Sequence, residues 1–437
     1  MQRFTHVAFF LLVLIYLGLG FLYATKTPAW QAPDEPAHYN YIRQLAAGAL
    51  PLMEAGDYDQ AYQGMVIGSR FDPQYAVDSF EYEDYQPPLY YLTLTPSYQL
   101  ADGGVVALRL TSVLVGLGVV VFAYLSALNL FPHRPWLALT VAAFVALLPQ
   151  HLSILSAINN DSLAELIVAA LLYTLTRPAA LTFDKRTTRT VALLLGLAFL
   201  TKVTAYLMAG AVGLYLLWQL WGDWRRLWRV GLQIFVPALL IGFIWWGRNL
   251  SVYGGLDFLG TQAHDAIVVG QPTTQEWVAQ FGLGEVLSRF FRTSFQSFYG
   301  QFGWMCCPMP SWAYFPLRLM TFAGIAGALW WLVRFRPKSP HKQAALVLFS
   351  NLLGLNFLLY IVYNFSFVQH QGRYFFVSLI PIGTAMTIGL DTWLRPLTKQ
   401  IKPVALLLPL TLILGLSLIN LYIVFYILPC GLAFQGC

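Results

Sequence analysis

Charge is what this 437-residue chain has least of. Asp, Glu, Lys and Arg make up 11% of it, against 58% hydrophobic residues, roughly half the charged share of a soluble domain. That scarcity excludes a solvated globular fold of this length. Cysteine is scarce as well: Cys306, Cys307, Cys430 and Cys437 have none of the spacing of a zinc site or a redox pair. No small-residue cleavage site follows the first apolar run, Phe4 to Tyr23, so that run reads as a retained helix and not as a signal peptide. The halves show no internal repeat of the kind many transporters carry.

What the chain does have is apolar runs, end to end, each near the ~20 residues that cross a bilayer as a helix. Lipid offers the backbone no hydrogen bonds, and these runs are too long for barrel strands. The chain therefore reads as an all-α polytopic membrane protein. Its spans fall at about 4–23, 104–131, 136–157, 162–176, 189–201, 203–221, 229–247, 315–334, 343–363, 374–390 and 403–429. The pair 189–201 and 203–221 is split at Thr201-Lys202 because a lysine at mid-bilayer costs several kcal/mol.

Eleven crossings sort the loops by side. One set holds Arg3, Arg134, Arg177, Lys185, Arg186, Arg189, Arg225, Arg226, Arg229, Arg334, Arg336, Lys338, Lys342, Arg395, Lys399 and Lys402, which is 16 of the 26 basic residues. Short loops rich in Lys and Arg stay cytoplasmic. The net charge of +6 thus reflects membrane orientation and implies no nucleic acid. The N-terminus is placed in the cytoplasm, while the long loops 24–103 and 248–314 and all four cysteines are placed outside. Outside, a disulfide can persist: Cys430 with Cys437, or either with the Cys306–Cys307 pair.

The outer face carries the chemistry. Asp34 and Glu35 stand between Pro33 and Pro36. One reading is a helix start, with Asp34 as the cap and an amphipathic helix running to Gly48 on Ala37, Tyr41, Ile42, Leu45 and Ala46. Capping needs a single carboxylate, however, which leaves a chemical role for the pair. A third reading takes Glu35 and His38 as metal ligands with His151, His264 and His370, although no second Glu-x-x-His supports it. "YQPPLYYL" (85–92) brings Tyr85, Gln86 and Tyr90, as substrate contacts or as an interfacial aromatic belt. "INND" (158–161) brings Asn159, Asn160 and Asp161, as ligand contacts or as helix caps. In "FYGQFGWMCCPMP" (298–310), Gln301 and Trp304 follow an amphipathic stretch on Val286, Leu287, Phe290 and Phe291, expected to lie on the membrane and wall a cavity.

Lys202, Arg248 and Arg373 each end a span on the side that the topology signal disfavours. One such residue snorkels to lipid phosphate. Three of them point to an anion site at the outer boundary, with a carboxylate opposite.

Together, "PDEPAH" (33–38), "PPLYYL", "INND", "LGLAFLTK" (195–202), "WGRN" (246–249), "FGWM" (302–305) and "QGRY" (371–374) resemble the GT-C membrane glycosyltransferases. The similarity is to the protein O-mannosyltransferase-like and aminoarabinose-transferase-like branches, and most of all to a bacterial multi-span branch with a PDEPAH motif. The resemblance covers nearly the whole chain in order. It implies a single GT-C module over 1–437, without the soluble C-terminal domain of oligosaccharyltransferases. It also implies residence in the plasma membrane and transfer of a sugar from a polyprenyl-phosphate donor to a glycan, lipid or protein acceptor, inverting the anomeric centre. By position, Asp34 matches the general base, Glu35 its acidic neighbour, and Lys202 and Arg373 the donor-phosphate ligands, with Arg248 as a further candidate. His38 and the residues of the three outer motifs fall where substrate binds. No cofactor is implied; relatives that use a divalent metal exist, and metal independence is the expectation here. A transporter of lipid-linked sugars, or a non-enzymatic envelope scaffold, would fit the same spans with these motifs serving other ends.

Overall fold

Every one of the eleven apolar runs is helical in the structure, a computed structural model that describes residues 2–335, 337 and 339–434. Arg336, Lys338 and Cys437 lie outside the described residues. Seven helices are long and apolar enough to cross a membrane: Phe4–Lys26, Val105–Leu130, Trp224–Tyr253, Ser311–Arg334, Pro340–Ser366, Gly372–Thr398 and Pro403–Leu432. An eighth is the pair Pro135–Leu147 and Pro149–Leu155, bent by 64°. Asp161–Thr176, Lys185–Phe199 and Val203–Gln219 are shorter. The chain is a multi-pass membrane protein, and the count of eleven crossings is not established by helix length.

Two departures from regular helix shape the bundle. The span expected as continuous over 136–157 bends at Leu148 because Pro149 offers no N–H to the preceding turn, and its ring crowds that turn's carbonyl. Lys202 falls at the expected break: it is extended, φ −161° and ψ 138°, between Lys185–Phe199 and the 3₁₀ turn Val203–Tyr206.

Packing follows side-chain size. Val105–Leu130 lies along Asp161–Thr176, Trp224–Tyr253 along Lys185–Phe199, and Ser311–Arg334 along Leu379–Gln400. At the last crossing the backbones touch. A Cβ on Gly327 would sit 2.1 Å from the Gly389 carbonyl oxygen, and one on Gly389 would sit 1.9 Å from that of Gly324. Small residues permit such close approach in lipid, where packing and not water drives association.

The long loops 27–104 and 254–310 cover one end of the bundle. Glu35–Ala46 buries Ala37, Tyr41 and Ile42, but it lies against Leu89–Leu100 instead of floating on the surface, with the Tyr41 and Tyr91 rings stacked at 3.7 Å. Leu283–Tyr299 buries Val286 and leaves Leu287 and Phe291 exposed. It rests on the 3₁₀ segment Gly372–Ser378, so it backs the cavity without lining it. Cys306 and Cys307 are free, while Cys430 is disulfide-bonded.

Candidate active site

Asp34 holds the N-cap position of Glu35–Ala46, but its side chain makes no cap hydrogen bond. Its backbone is left-handed, φ 66°, a conformation uncommon for a residue with a Cβ. That turn aims the carboxylate away from the helix. Oδ2 accepts from Arg373 Nη2 at 2.8 Å and Oδ1 from the Tyr82 hydroxyl at 3.1 Å. Arg373 is itself oriented by the Gln371 side chain, which accepts from Nε at 2.7 Å. The break at Lys202 lets its ammonium reach Asp161 Oδ1 at 2.6 Å. All of these residues line one cavity of about 650 Å³, with His38, Tyr85, Gln86, Glu83, Glu165, Trp304 and Tyr374. That volume is ordinary for a small-molecule site.

The electrostatics separate two neighbouring acids. Burial raises the Asp34 carboxyl, but the charge and hydrogen bond of Arg373 and the charge of Lys202 outweigh it and hold the group below its usual value. Glu83 makes no direct ion pair: burial, then the charge on Asp34, pushes it up to about 8 against the weaker pull of Lys202, Gln86 and Arg373. At neutral pH Asp34 is the carboxylate and Glu83 the acid, the pattern of paired carboxyls with divided roles. Burial, then the charge on Lys202, lowers His38 to about 3, so its imidazole is neutral, with Nδ1 2.9 Å from the Tyr91 hydroxyl.

Several expected site residues lie elsewhere. Glu35 is fully buried in a two-pronged pair with Arg109, Nε to Oε1 at 2.7 Å and Nη2 to Oε2 at 2.6 Å. It does not line the cavity. Its oxygens also accept from the Trp30 and Ile158 amides, so Glu35 fastens the loop entry to the INND turn. The same turn is held by Tyr90, whose hydroxyl takes the Asn159 amide at 2.8 Å, and by Asn160, which donates to Tyr91 at 3.2 Å. Tyr90, Asn159 and Asn160 thereby set Asp161 in place instead of meeting the cavity, and the fully buried Tyr90 and Tyr91 are no interfacial belt. Arg248 donates to the Pro51 carbonyl and lies over the Trp245 and Tyr253 rings at 4.7 and 5.6 Å; it ties the first long loop to a span. Gln301 reaches back to the Met305 carbonyl. Of the residues in the Glu35-x-x-His38 metal reading, Glu35 is bonded to Arg109 and His38 to Tyr91. Among the described residues no group of three or more His, Cys, Asp and Glu is placed to hold a metal ion.

Arg109, Tyr82, Glu83 and the His151–Glu165 pair were not singled out from the sequence. Arg109 gave one signal, an arginine five residues into an apolar run.

The bundle is the GT-C fold. Residues 62–263 match the family model described as dolichyl-phosphate-mannose-protein mannosyltransferase. Among solved structures, the chain is similar to ArnT from Cupriavidus metallidurans bound to undecaprenyl phosphate, with TM-score 0.51 and 15% identity over 96% of this chain and 73% of that one. It is also similar to the oligosaccharyltransferase of Archaeoglobus fulgidus in complex with Zn and sulfate, with TM-score 0.55 and 13% identity over 94% of this chain and 53% of that one. No curated protein sequence matches the chain. The class so defined is the GT-C fold of membrane glycosyltransferases: the chain shares that fold, and just under half of it is similar to the mannosyltransferase family model.

Proposed function

We propose that this protein moves one sugar from a polyprenyl-phosphate donor to an acceptor hydroxyl, with inversion, and that Asp34 is the base. The observation that carries the reading is the shared cavity. A depressed carboxylate, Asp34, and two cations, Lys202 and Arg373, face one space large enough for a sugar phosphate. A glycan, lipid or protein hydroxyl attacks the anomeric carbon, and its proton passes to Asp34. The bond from that carbon to the phosphate oxygen breaks, its electron pair stays on oxygen, and polyprenyl phosphate leaves with one more negative charge. Lys202 and Arg373 stabilise that charge where water is excluded. Both are paired with carboxylates in the free protein, so the donor phosphate enters by exchange with Asp161 and Asp34. That exchange frees Asp34 to take the proton.

The neighbour described as bound to undecaprenyl phosphate supports a polyprenyl donor. Because residues of both long loops and of several spans line the same cavity, the reading treats the bundle and loops as one module. The distribution of basic loops supports an outward-facing site in the plasma membrane, with the N-terminus cytoplasmic. The reading gives the cationic role to side chains and requires no metal; transfer that persists after chelator treatment is the expected result. The central experiment places purified protein in liposomes with radiolabelled undecaprenyl-phosphate sugars and a glycan acceptor. Label should move to the acceptor with wild type and not with Asp34→Asn. Full transfer by that variant removes Asp34 as the base.

A further inference from the structure

Glu165 lies one helical turn beyond Asp161 and lines the same cavity, yet the charges described above leave it without a task. Only 3% of it is exposed. Its Oε2 is 2.6 Å from His151 Nε2, and His151 Nδ1 is 2.7 Å from the Val145 carbonyl oxygen. Pro149 explains that second contact. In a continuous helix the amide of residue 149 would bond Val145, and proline has none, so the imidazole takes its place.

The protons can be counted. A carbonyl oxygen only accepts, so Nδ1 carries a hydrogen. One further proton must then lie between Nε2 and Oε2, on whichever atom holds it. As imidazolium and carboxylate, or as imidazole and carboxylic acid, the pair leaves Glu165 Oε1 as an acceptor. That oxygen is buried and has no hydrogen-bond partner, an unfavourable state unless a ligand supplies a donor.

We propose that the His151–Glu165 pair is a specificity site for the transferred sugar, with Glu165 Oε1 accepting a hydrogen bond from one of its hydroxyl or amino groups. The inference rests on the transferase reading. Of the donor's three parts, a prenyl chain has no hydrogen to give and an ionised phosphate only accepts. The sugar alone supplies donors. Residues four apart on a helix place their Cβ atoms about 5–6 Å apart, so a group at Glu165 lies within one sugar ring of a phosphate at Lys202. His151 is a positioning residue: it fixes which oxygen of Glu165 stays free.

The test measures binding of undecaprenyl phosphate, and of the same lipid carrying mannose, glucose or 4-aminoarabinose, to purified protein in detergent. Wild type should bind at least one glycosylated lipid about tenfold or more tighter than the bare phosphate, as expected where a buried polar group reads a hydroxyl or amine. Glu165→Gln puts an amide donor where the acceptor stood. It should keep the affinity for undecaprenyl phosphate and lose the sugar-dependent gain. His151→Gln, which retains an N–H toward Glu165, should keep most of it. A gain that survives in Glu165→Gln overturns the proposal, as does a wild type that gains nothing from any of the three sugars. Failure of wild type to bind undecaprenyl phosphate itself strikes the transferase reading instead. If Glu165→Gln shows no cooperative melting, Glu165→Asp must show the same split, and a preserved gain there overturns the proposal.

Discussion

Arg373 donates to Asp34 across 2.8 Å and 339 positions of sequence. The contact joins the start of the first long loop to the entry of a late span, and under the proposed transfer it makes base and phosphate ligand rivals for one another until substrate separates them.

Replacement of Asp34 should therefore have two opposite effects. Asp34→Asn removes the base, and turnover should fall by about 10²–10⁴-fold. The same change releases Arg373 from its carboxylate, so undecaprenyl phosphate should bind at least as tightly as to wild type. Titration of the purified variant with the lipid phosphate, beside a single-turnover assay, checks both. Weakened lipid binding would contradict the exchange of partners.

Lys202 offers the complementary case. Lys202→Ala should raise the apparent KM for the donor and leave the KM for the acceptor unchanged. Asp161→Asn frees the ammonium and should strengthen binding of the bare lipid phosphate. Arg373→Lys should fail to restore wild-type donor binding, because an ammonium cannot reproduce the planar fork that spans Gln371 and Asp34. Donor affinities that do not move in these variants would count against both cations.

The buried pair Glu35–Arg109 leads to a different expectation. Glu35→Gln alone leaves an uncompensated buried arginine and should cost about 3–5 kcal/mol, seen as lower melting temperature and poor yield in detergent. The double change Glu35→Gln with Arg109→Met should recover much of that loss. Recovered protein should also recover transfer, since neither residue faces the cavity. A stable double variant without activity would return Glu35 to the chemistry.

Glu83 supplies the pH dependence. Its carboxyl is raised to about 8 in the folded protein from an ordinary value of 4.5. A raised acid contributes stability below its unfolded value and loses it as pH climbs through the folded one. The wild-type melting temperature should thus fall between about pH 4.5 and pH 8, and Glu83→Gln should flatten that part of the profile. Transfer by wild type should decline above about pH 8 as a second charge forms beside Asp34, and the same variant should remove the decline. Identical profiles for both proteins would show that Glu83 is not the titrating group.

What could be read from the residues alone follows a physical line. Spans, the break at Lys202, and the meeting of Asp34 with Lys202 and Arg373 were legible because apolar runs, loop charge and motif order all report them locally. Glu35 was misassigned because its partner is 74 residues away inside an apolar run, and no periodicity announces a pairing across helices. Arg248 was misassigned because glycine and aromatic neighbours look alike whether a cation meets phosphate or stacks on its own loop. Glu83 was one acid among eleven in its loop, distinguishable only once its burial beside Asp34 without a direct ion pair was visible. Glu165 depended on the bend at Pro149, which hydropathy does not show.

Gly372 stands immediately before Arg373, and its peptide N–H is held by the Ser297 hydroxyl at 2.7 Å. A methyl group there would meet the Ser294 carbonyl oxygen at 2.2 Å and the Phe298 nitrogen at 2.5 Å. The guanidinium is therefore mounted on the amphipathic helix Leu283–Tyr299 with no slack between them. Anything that rocks this helix must carry the Arg373 backbone with it, which couples the helix's exposed apolar surface to the cavity.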